Sequence, residues 1–427
     1  MQNKKNPKLQ RFAESEEDDG KRQKETKNSI PQEIIFQVLK ELPAKSLLRY
    51  RCVSKLWCSI IDSPLFITSH RARSHTRQGG ITILMRAQPR PSPDQHLTHF
   101  FSINPQGIEP PRLLQTLSVD HFNSIQFVNG LVCFNNNVWN PSTRETLALP
   151  PTPITCGLFS DFTEWSVFKY CMFGFAPNSN EYKVVNICKI YVSKGDETGM
   201  ETRPEQCKVW TLGLGARSLW RNINFDFDDS LRSLLNNFTT GGVCCVNGTI
   251  YCWGPNGHEG KILAFDVEHE KFRYISLLDD TNFCLCNPLQ VGECFALIDN
   301  DVNNVWILDE SLGVHWKREN LIIPGIYKSN SIWRRLIPVG SIHRGDEILL
   351  HRWEEETGGD EIFQHSWRGG GEERDEETFL ELFYYELRSK SLRRICCITD
   401  LPGLPCAFDI ATLNVSFAKQ VECLFRE

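Results

Sequence analysis

Two hydrophobic patterns divide the chain. Between Ser29 and about Arg73, apolar residues recur at helical spacing. Ile30, Ile34, Ile35, Val38, Leu39 and Leu42 begin at i, i+4, i+5 and i+8, so they share one side of a helix. Pro31 suits the first turn of that helix, where its missing N–H would lack a partner anyway. Pro43 stops this helix and begins a second, whose stripe holds Leu47, Leu48 and Cys52. Val53, Trp57, Ile60 and Ile61 form a third stripe that ends near Ser63-Pro64. Three helices this short hide little surface, so the unit is expected to lean on a neighbour or a partner.

Beyond Arg73 the period changes to short β-like runs punctuated by turn residues. One arrangement recurs: an apolar strand ends in an aromatic, a polar turn follows, then another strand begins. It occurs around Phe100-Phe101-Ser102-Ile103, Val138-Trp139-Asn140-Pro141, Val209-Trp210-Thr211-Leu212, Leu263-Ala264-Phe265-Asp266, Val305-Trp306-Ile307-Leu308 and Phe383-Tyr384-Tyr385-Glu386. Asn129-Gly130 and Asn247-Gly248 read as two-residue hairpin turns, which need positive φ. The copies start about 30 to 80 residues apart, room for one four-stranded sheet each. The expected fold is therefore mainly β with a small N-terminal α unit, the β part being a six-bladed β-propeller, with a pair of β-sandwiches as the alternative. The expected boundaries are a disordered charged tail at 1–28, the helical unit at 29–73 and the β-domain at 78–427. A closed propeller joins its ends, so the outermost runs, Ile81–Met85 and Leu413–Phe417, are expected to share a blade.

Composition narrows the function. Of 427 residues 41% are hydrophobic, which supports a core and excludes a wholly disordered chain. The 47 lysines and arginines against 53 acids give a net charge of −6, which argues against a general nucleic-acid binder. The acids are uneven. Glu354–Glu377 carries ten of them with two arginines, which predicts a long loop between strands at Glu347–Trp353 and Phe379–Leu387. Lys21, Arg22 and Lys24 read as solvated charge, with a weak nuclear-import patch as the alternative. The first residues lack an apolar core of a signal peptide, and no apolar run approaches the roughly 18–20 residues that span a bilayer. The expectation is a soluble intracellular protein of cytoplasm and/or nucleus, without a membrane partner. The 17 cysteines contain no C-x-x-C pair and read as small buried side chains rather than disulfides or a zinc site.

Candidate chemistry is sparse. There is no G-x-S-x-G, P-loop or H-E-x-x-H motif, and Gly213-Leu214-Gly215 reads as a turn. Asp299, Asp301 and Asp309 form an acid cluster on paper, yet Asn and Asp are also the expected residues of turns. His343 and His351 flank one apolar strand. A hydrolase built on a propeller would need carboxylates or a metal at the channel mouth. The expectation is a non-catalytic protein with no cofactor and no metal.

The stretch Ser29-Ile30-Pro31-Gln32-Glu33-Ile34-Ile35, followed by Leu42-Pro43-Ala44-Lys45-Ser46-Leu47-Leu48-Arg49-Tyr50-Arg51-Cys52-Val53-Ser54-Lys55-Leu56-Trp57, closely resembles an F-box. The likeness continues through Asp62-Ser63-Pro64-Leu65-Phe66. Downstream, Trp139-Asn140-Pro141-Ser142-Thr143-Arg144-Glu145, Phe173-Gly174-Phe175 with Glu181-Tyr182-Lys183-Val184-Val185, and Asn247-Gly248-Thr249-Ile250-Tyr251 resemble the F-box-associated domain of plant F-box proteins. Ile30 departs from the usual leucine, Gln32 from the common acid, and the acidic insertion has no counterpart in the family pattern. The resemblance implies a substrate-recognition subunit of a Skp–cullin–F-box ubiquitin ligase. It would bind a Skp-type adaptor, and through it a cullin, and a protein substrate through the β-domain. The residues it implies for the adaptor are Ile30, Pro31, Ile34, Val38, Leu42, Pro43, Leu47, Leu48, Val53 and Trp57, some of which would instead serve as internal core. Seven basic residues against Asp62 between Lys45 and Arg77 read as a solvated rim or as a complement to an acidic adaptor. A propeller scaffold unconnected to ubiquitin is the alternative.

Overall fold

The computed structural model describes residues 30–63, 65–67, 69–70, 73, 81–89, 97–103, 110–118, 125–134, 136–154, 164–193, 201–212, 219–223 and 225. It further describes 243–252, 261–277, 286–299, 302–311, 313–324, 336–342, 347–355, 378–398, 408–409 and 416–419. The charged tail, the turn at 213–218, Asp301, His343 and the span 356–377 lie outside these residues. The chain divides into two compact units, 1–73 and 74–427.

In the first unit, α1 (Gln32–Lys40), α2 (Ala44–Tyr50) and α3 (Lys55–Ile61) follow one another through short turns. Each start has a local cause. Pro31 and Pro43 sit just before α1 and α2 in extended conformation, and their carbonyls accept the first helical N–H groups, from Ile34 and Ile35 and from Ser46 and Leu47. Ser54 caps α3, its hydroxyl accepting from the Trp57 N–H at 3.1 Å. Ile35, Leu39, Leu47, Ile61 and Phe66 form the buried centre. Phe36 meets Phe66 edge-on at 5.2 Å between centroids, and buried His70 bonds the Leu42 carbonyl at 2.8 Å.

The second unit is six antiparallel sheets, the first of five strands and the other five of four. The first holds β1 (Ile81–Pro89), β2 (Leu97–Ile103) and β3 (Arg112–Ser118). The second holds β4 (Gln126–Val128), β5 (Leu131–Phe134), β6 (Asn137–Trp139) and β7 (Thr146–Ala148). The third is longer: β8 (Glu164–Ala176), β9 (Glu181–Ser193), β10 (Glu201–Thr211) and β11 (Arg221–Ile223). The fourth comprises β12 (Val243–Val246), β13 (Thr249–Cys252), β14 (Lys261–Asp266) and β15 (Lys271–Ser276). The fifth comprises β16 (Cys286–Val291), β17 (Cys294–Asp299), β18 (Asn304–Asp309) and β19 (His315–Asn320). The sixth comprises β20 (Ile337–Ile342), β21 (Glu347–Glu355), β22 (Thr378–Glu386) and β23 (Ser391–Ile398). The chain then returns through β24 (Phe408–Asp409) and β25 (Ser416–Lys419) to pair with β1.

That return closes the ring. β25 supplies the innermost strand of the first blade and neighbours both β4 and β20, while β4, β8, β12, β16 and β20 touch in succession. Ile83 pairs with Phe417 and Leu84 with Ser416, so the expected joining of the two ends is observed for these residues. Residues 413–415 of the expected run lie outside the described ones. The six recurring aromatic segments of the sequence fall one per blade, each on the third strand: β2, β6, β10, β14, β18 and β22.

The turns between first and second strands are tight where Asn-Gly occurs. Asn129, Gly130, Asn247 and Gly248 all have positive φ, from 45° to 88°. Because strands alternate in direction, these turns lie on one face of the ring. The connections longer than ten residues between consecutive strands, at 149–163, 224–242, 321–336 and 356–377, all leave from the opposite face. The acidic segment is shorter than expected as a loop. Glu354 and Glu355 belong to β21 and pair with Phe379 and Thr378, because the β21–β22 ladder runs on past Trp353.

Blades are joined by side chains as well as by packing. Arg221 of blade three makes two bonds of 2.6 and 2.8 Å to Glu270 in the β14–β15 turn, where Lys183 also reaches the carboxylate at 2.9 Å. Burial pushes the Glu270 carboxyl up, but the bonds from Arg221 and Lys183 outweigh it and hold the group below its ordinary range. One blade on, Arg273 repeats the bidentate contact with Glu310 in the β18–β19 turn, at 2.6 and 2.9 Å. Gly174 marks a close backbone approach, since a Cβ there would stand 2.6 Å from Val267 and 2.7 Å from Ile250 of blade four.

Candidate functional site

On α1, two rows of apolar residues lie side by side. Ile35 and Leu39 face the unit's centre, while Ile34 and Val38, one residue round the helix, are 53% and 54% exposed. Ile30, just ahead of Pro31, is 61% exposed. The 3.6-residue period sets Ile34 and Val38 one above the other as an exposed apolar row, with Ile30 just ahead of the helix start. Pro31 and Pro43 are exposed, Leu42, Leu48 and Trp57 are half-buried, and Val53 is 58% exposed. Trp57 stands against Tyr50, edge to face, at 5.5 Å.

Leu47 differs from its expected place. It is 1% exposed within the helical core, because α2 turns that side inward beneath the Pro43 break. Periodicity assigned Leu47 and Leu48 to one stripe, yet adjacent helical residues point about 100° apart. Two exposed apolar side chains were absent from the expected set, Leu65 at 71% and Tyr50 at 38%. Leu65 lies just past the third stripe, so spacing alone gave no reason to include it.

The β-domain's paper candidates resolve into structure. The Asp299 carboxylate accepts from the backbone of Asn303 at 2.7 Å and of Asn304 at 3.2 Å, and from the Asn304 side chain at 2.7 Å. Ser311, through its side chain first and then its N–H at 2.9 Å, bonds the Asp309 carboxylate and holds its pKa down. Both therefore organise turns. His351 is buried on β21, its Nδ1 has no hydrogen-bond partner among the described residues, and burial lowers its pKa to about 4. No group of three or more metal-ligating side chains occurs among the described residues. Among them, too, no helix is long and apolar enough to cross a membrane.

The chain thus carries a short helical unit with an exposed apolar row, followed by a closed six-bladed propeller. Comparison with known families agrees. Residues 28–69 match the F-box domain and residues 91–399 match the F-box associated beta propeller domain. The chain belongs to the family of plant F-box proteins that carry an F-box-associated β-propeller. F-box protein At1g32420 of Arabidopsis thaliana is 32% identical over 258 residues, 58% of this chain and 74% of that protein. F-box protein At4g21240 of the same plant is 30% identical across 74% of this chain and 76% of its own length. F-box protein At5g52610, at 24%, aligns over 92% of this chain and 99% of its own. This architecture is typical of non-catalytic substrate receptors.

Proposed function

We propose that this protein is the substrate-recognition subunit of a Skp–cullin–F-box ubiquitin ligase, working in the cytoplasm or nucleus. The helical unit docks a Skp-type adaptor, which links it to a cullin. The propeller holds a protein substrate through the face from which the long connections leave. Its contribution is proximity: tethering raises the effective concentration of substrate lysines near the conjugating machinery without a nucleophile of its own. The observation that carries this reading is the exposure of Ile34 and Val38 along one row of α1, with exposed Ile30 just ahead of it, although burial of this apolar surface would be favourable.

The test is titration of the full chain with a purified Skp-type adaptor. Ile34→Ala combined with Val38→Ala should weaken binding by about 1–3 kcal/mol for each residue that acts as an anchor. The propeller's melting should stay unchanged. Leu47→Ala serves as the contrast, since it should loosen the helical core itself. Undiminished affinity of the double variant would leave the row without this role, and no affinity of the parent chain would favour a scaffold unconnected to ubiquitin.

A further inference from the structure

At the seam between blades two and three, two thiols from different sheets face each other. The sulfurs of Cys133 on β5 and Cys171 on β8 are 4.0 Å apart. The contact is framed by hydrogen bonds. Gln126 on β4 is the direct cross-strand partner of Cys133, so the two side chains leave the sheet on the same face. The Gln126 amide donates to the Cys171 carbonyl at 2.6 Å and accepts from the Phe173 N–H at 2.7 Å. One residue pair of blade two thus grips β8 twice, once through the amide at the backbone and once sulfur to sulfur. The thiols also differ in access. Cys133 is buried while Cys171 is partly exposed, and the neighbouring Cys171 thiol, then burial, keep Cys133 in its protonated form.

We propose that Cys133 and Cys171 are a peroxide-sensitive pair that forms a disulfide across the blade seam. The Cys171 sulfur, as thiolate, attacks one oxygen of hydrogen peroxide. The O–O bond breaks, the departing hydroxide takes a proton to become water, and Cys171 is left as a sulfenic acid. The Cys133 sulfur gives up its proton and attacks the Cys171 sulfur. The S–O bond breaks and the second oxygen leaves as water. Two thiols and one peroxide become one disulfide and two waters, a two-electron oxidation. The bond ties β5 to β8 and closes a loop between positions 38 residues apart, which restricts the opening of that seam.

The experiment treats the reduced full chain with a stoichiometric amount of hydrogen peroxide, alkylates the remaining thiols after denaturation, and maps linked peptides by mass spectrometry. A Cys133–Cys171 peptide should be the leading disulfide of the folded protein and should vanish on reduction. In urea the 17 cysteines should pair without that preference. Cys133→Ser should make the Cys171 sulfenic acid accumulate and react with dimedone several-fold more than in the parent chain. Cys171→Ser should leave Cys133 unoxidised at the same dose, because it is buried. Absence of the linked peptide in the folded chain, or no rise in Cys171 labelling in Cys133→Ser, overturns the proposal. Circular dichroism of both variants verifies that the fold persists.

Discussion

Along α1, Ile35 and Leu39 are buried while Ile34 and Val38 beside them are exposed; along β5, Leu131, Val132, Cys133 and Phe134 are all buried, although consecutive strand residues point to opposite faces. The strand lies between two neighbouring blades, so both of its faces find cover. Among the described residues of its own unit, the helix is covered along the Ile35–Leu39 side. Within the propeller the same contrast runs from inside to outside: β17 is buried at each of its four central positions, whereas the outermost strand β19 has exposed and half-buried positions and no buried one. A ring of sheets supplies its own partners, and the three-helix unit leaves part of its apolar surface exposed. Apolar surface is a stability feature in the first region; in the second it is the feature on which the proposed docking rests.

The largest test of this contrast is to open the ring. Truncation at Thr412 removes β25, the strand that closes blade one against β20 and β4. Since a domain is stable by only about 5–15 kcal/mol, loss of closure should unfold or aggregate the propeller. Soluble yield and thermal melting report it, and a soluble, cooperatively melting product would show that six blades hold without the closing strand.

A smaller loss is expected inside one blade. Glu381 is buried on β22 and pairs with Arg352 and, at 3.0 Å, with Arg394. Glu381→Ala leaves the largely buried Arg352 without its carboxylate, which should cost about 3 kcal/mol in urea unfolding. A cost below about 1 kcal/mol would mean that water replaces the carboxylate.

Acid should weaken the propeller through His351. The unfolded chain takes up a proton near the ordinary histidine pKa of about 6.5, while the folded site resists it until about 4. The contribution is present above 6.5 and is lost as the pH falls toward 4, amounting to about 2 kcal/mol at pH 5. His351→Gln should flatten the difference in unfolding free energy between pH 7.5 and 5. An equal slope in parent and variant would assign the acid sensitivity to other groups.

The smallest effect is expected from the acidic insertion. Its ends, Glu355 and Thr378, are already paired at the tip of a hairpin. Replacing residues 356–377 with a short Gly-Ser turn should change stability by less than about 1 kcal/mol, because loop length enters closure entropy only logarithmically. A large loss in melting temperature would make the insertion part of the blade.

Much of this architecture was legible in residue order. The aromatic segments marked one strand of every blade, and the two Asn-Gly pairs marked hairpins, because local backbone chemistry and side-chain alternation act over a few residues. The Pro31 and Pro43 boundaries were legible for the same reason. Leu47 was not, because a stripe gives the side of a helix that is apolar and omits how much of that side its own unit covers. Gln126, Lys183 and Glu381 were silent as well. Their roles depend on partners 13 to 87 positions away, such as Cys171, Glu270 and Arg394.

Sequence alone therefore determined the two modules, the number of blades and the resemblance that names the family, since each is written in short-range pattern. Tertiary structure decided which apolar residues of the helical unit stay exposed, how β25 closes the ring, and that Cys133 meets Cys171. These are contacts between segments distant along the chain, and periodicity has no term for the distance between them.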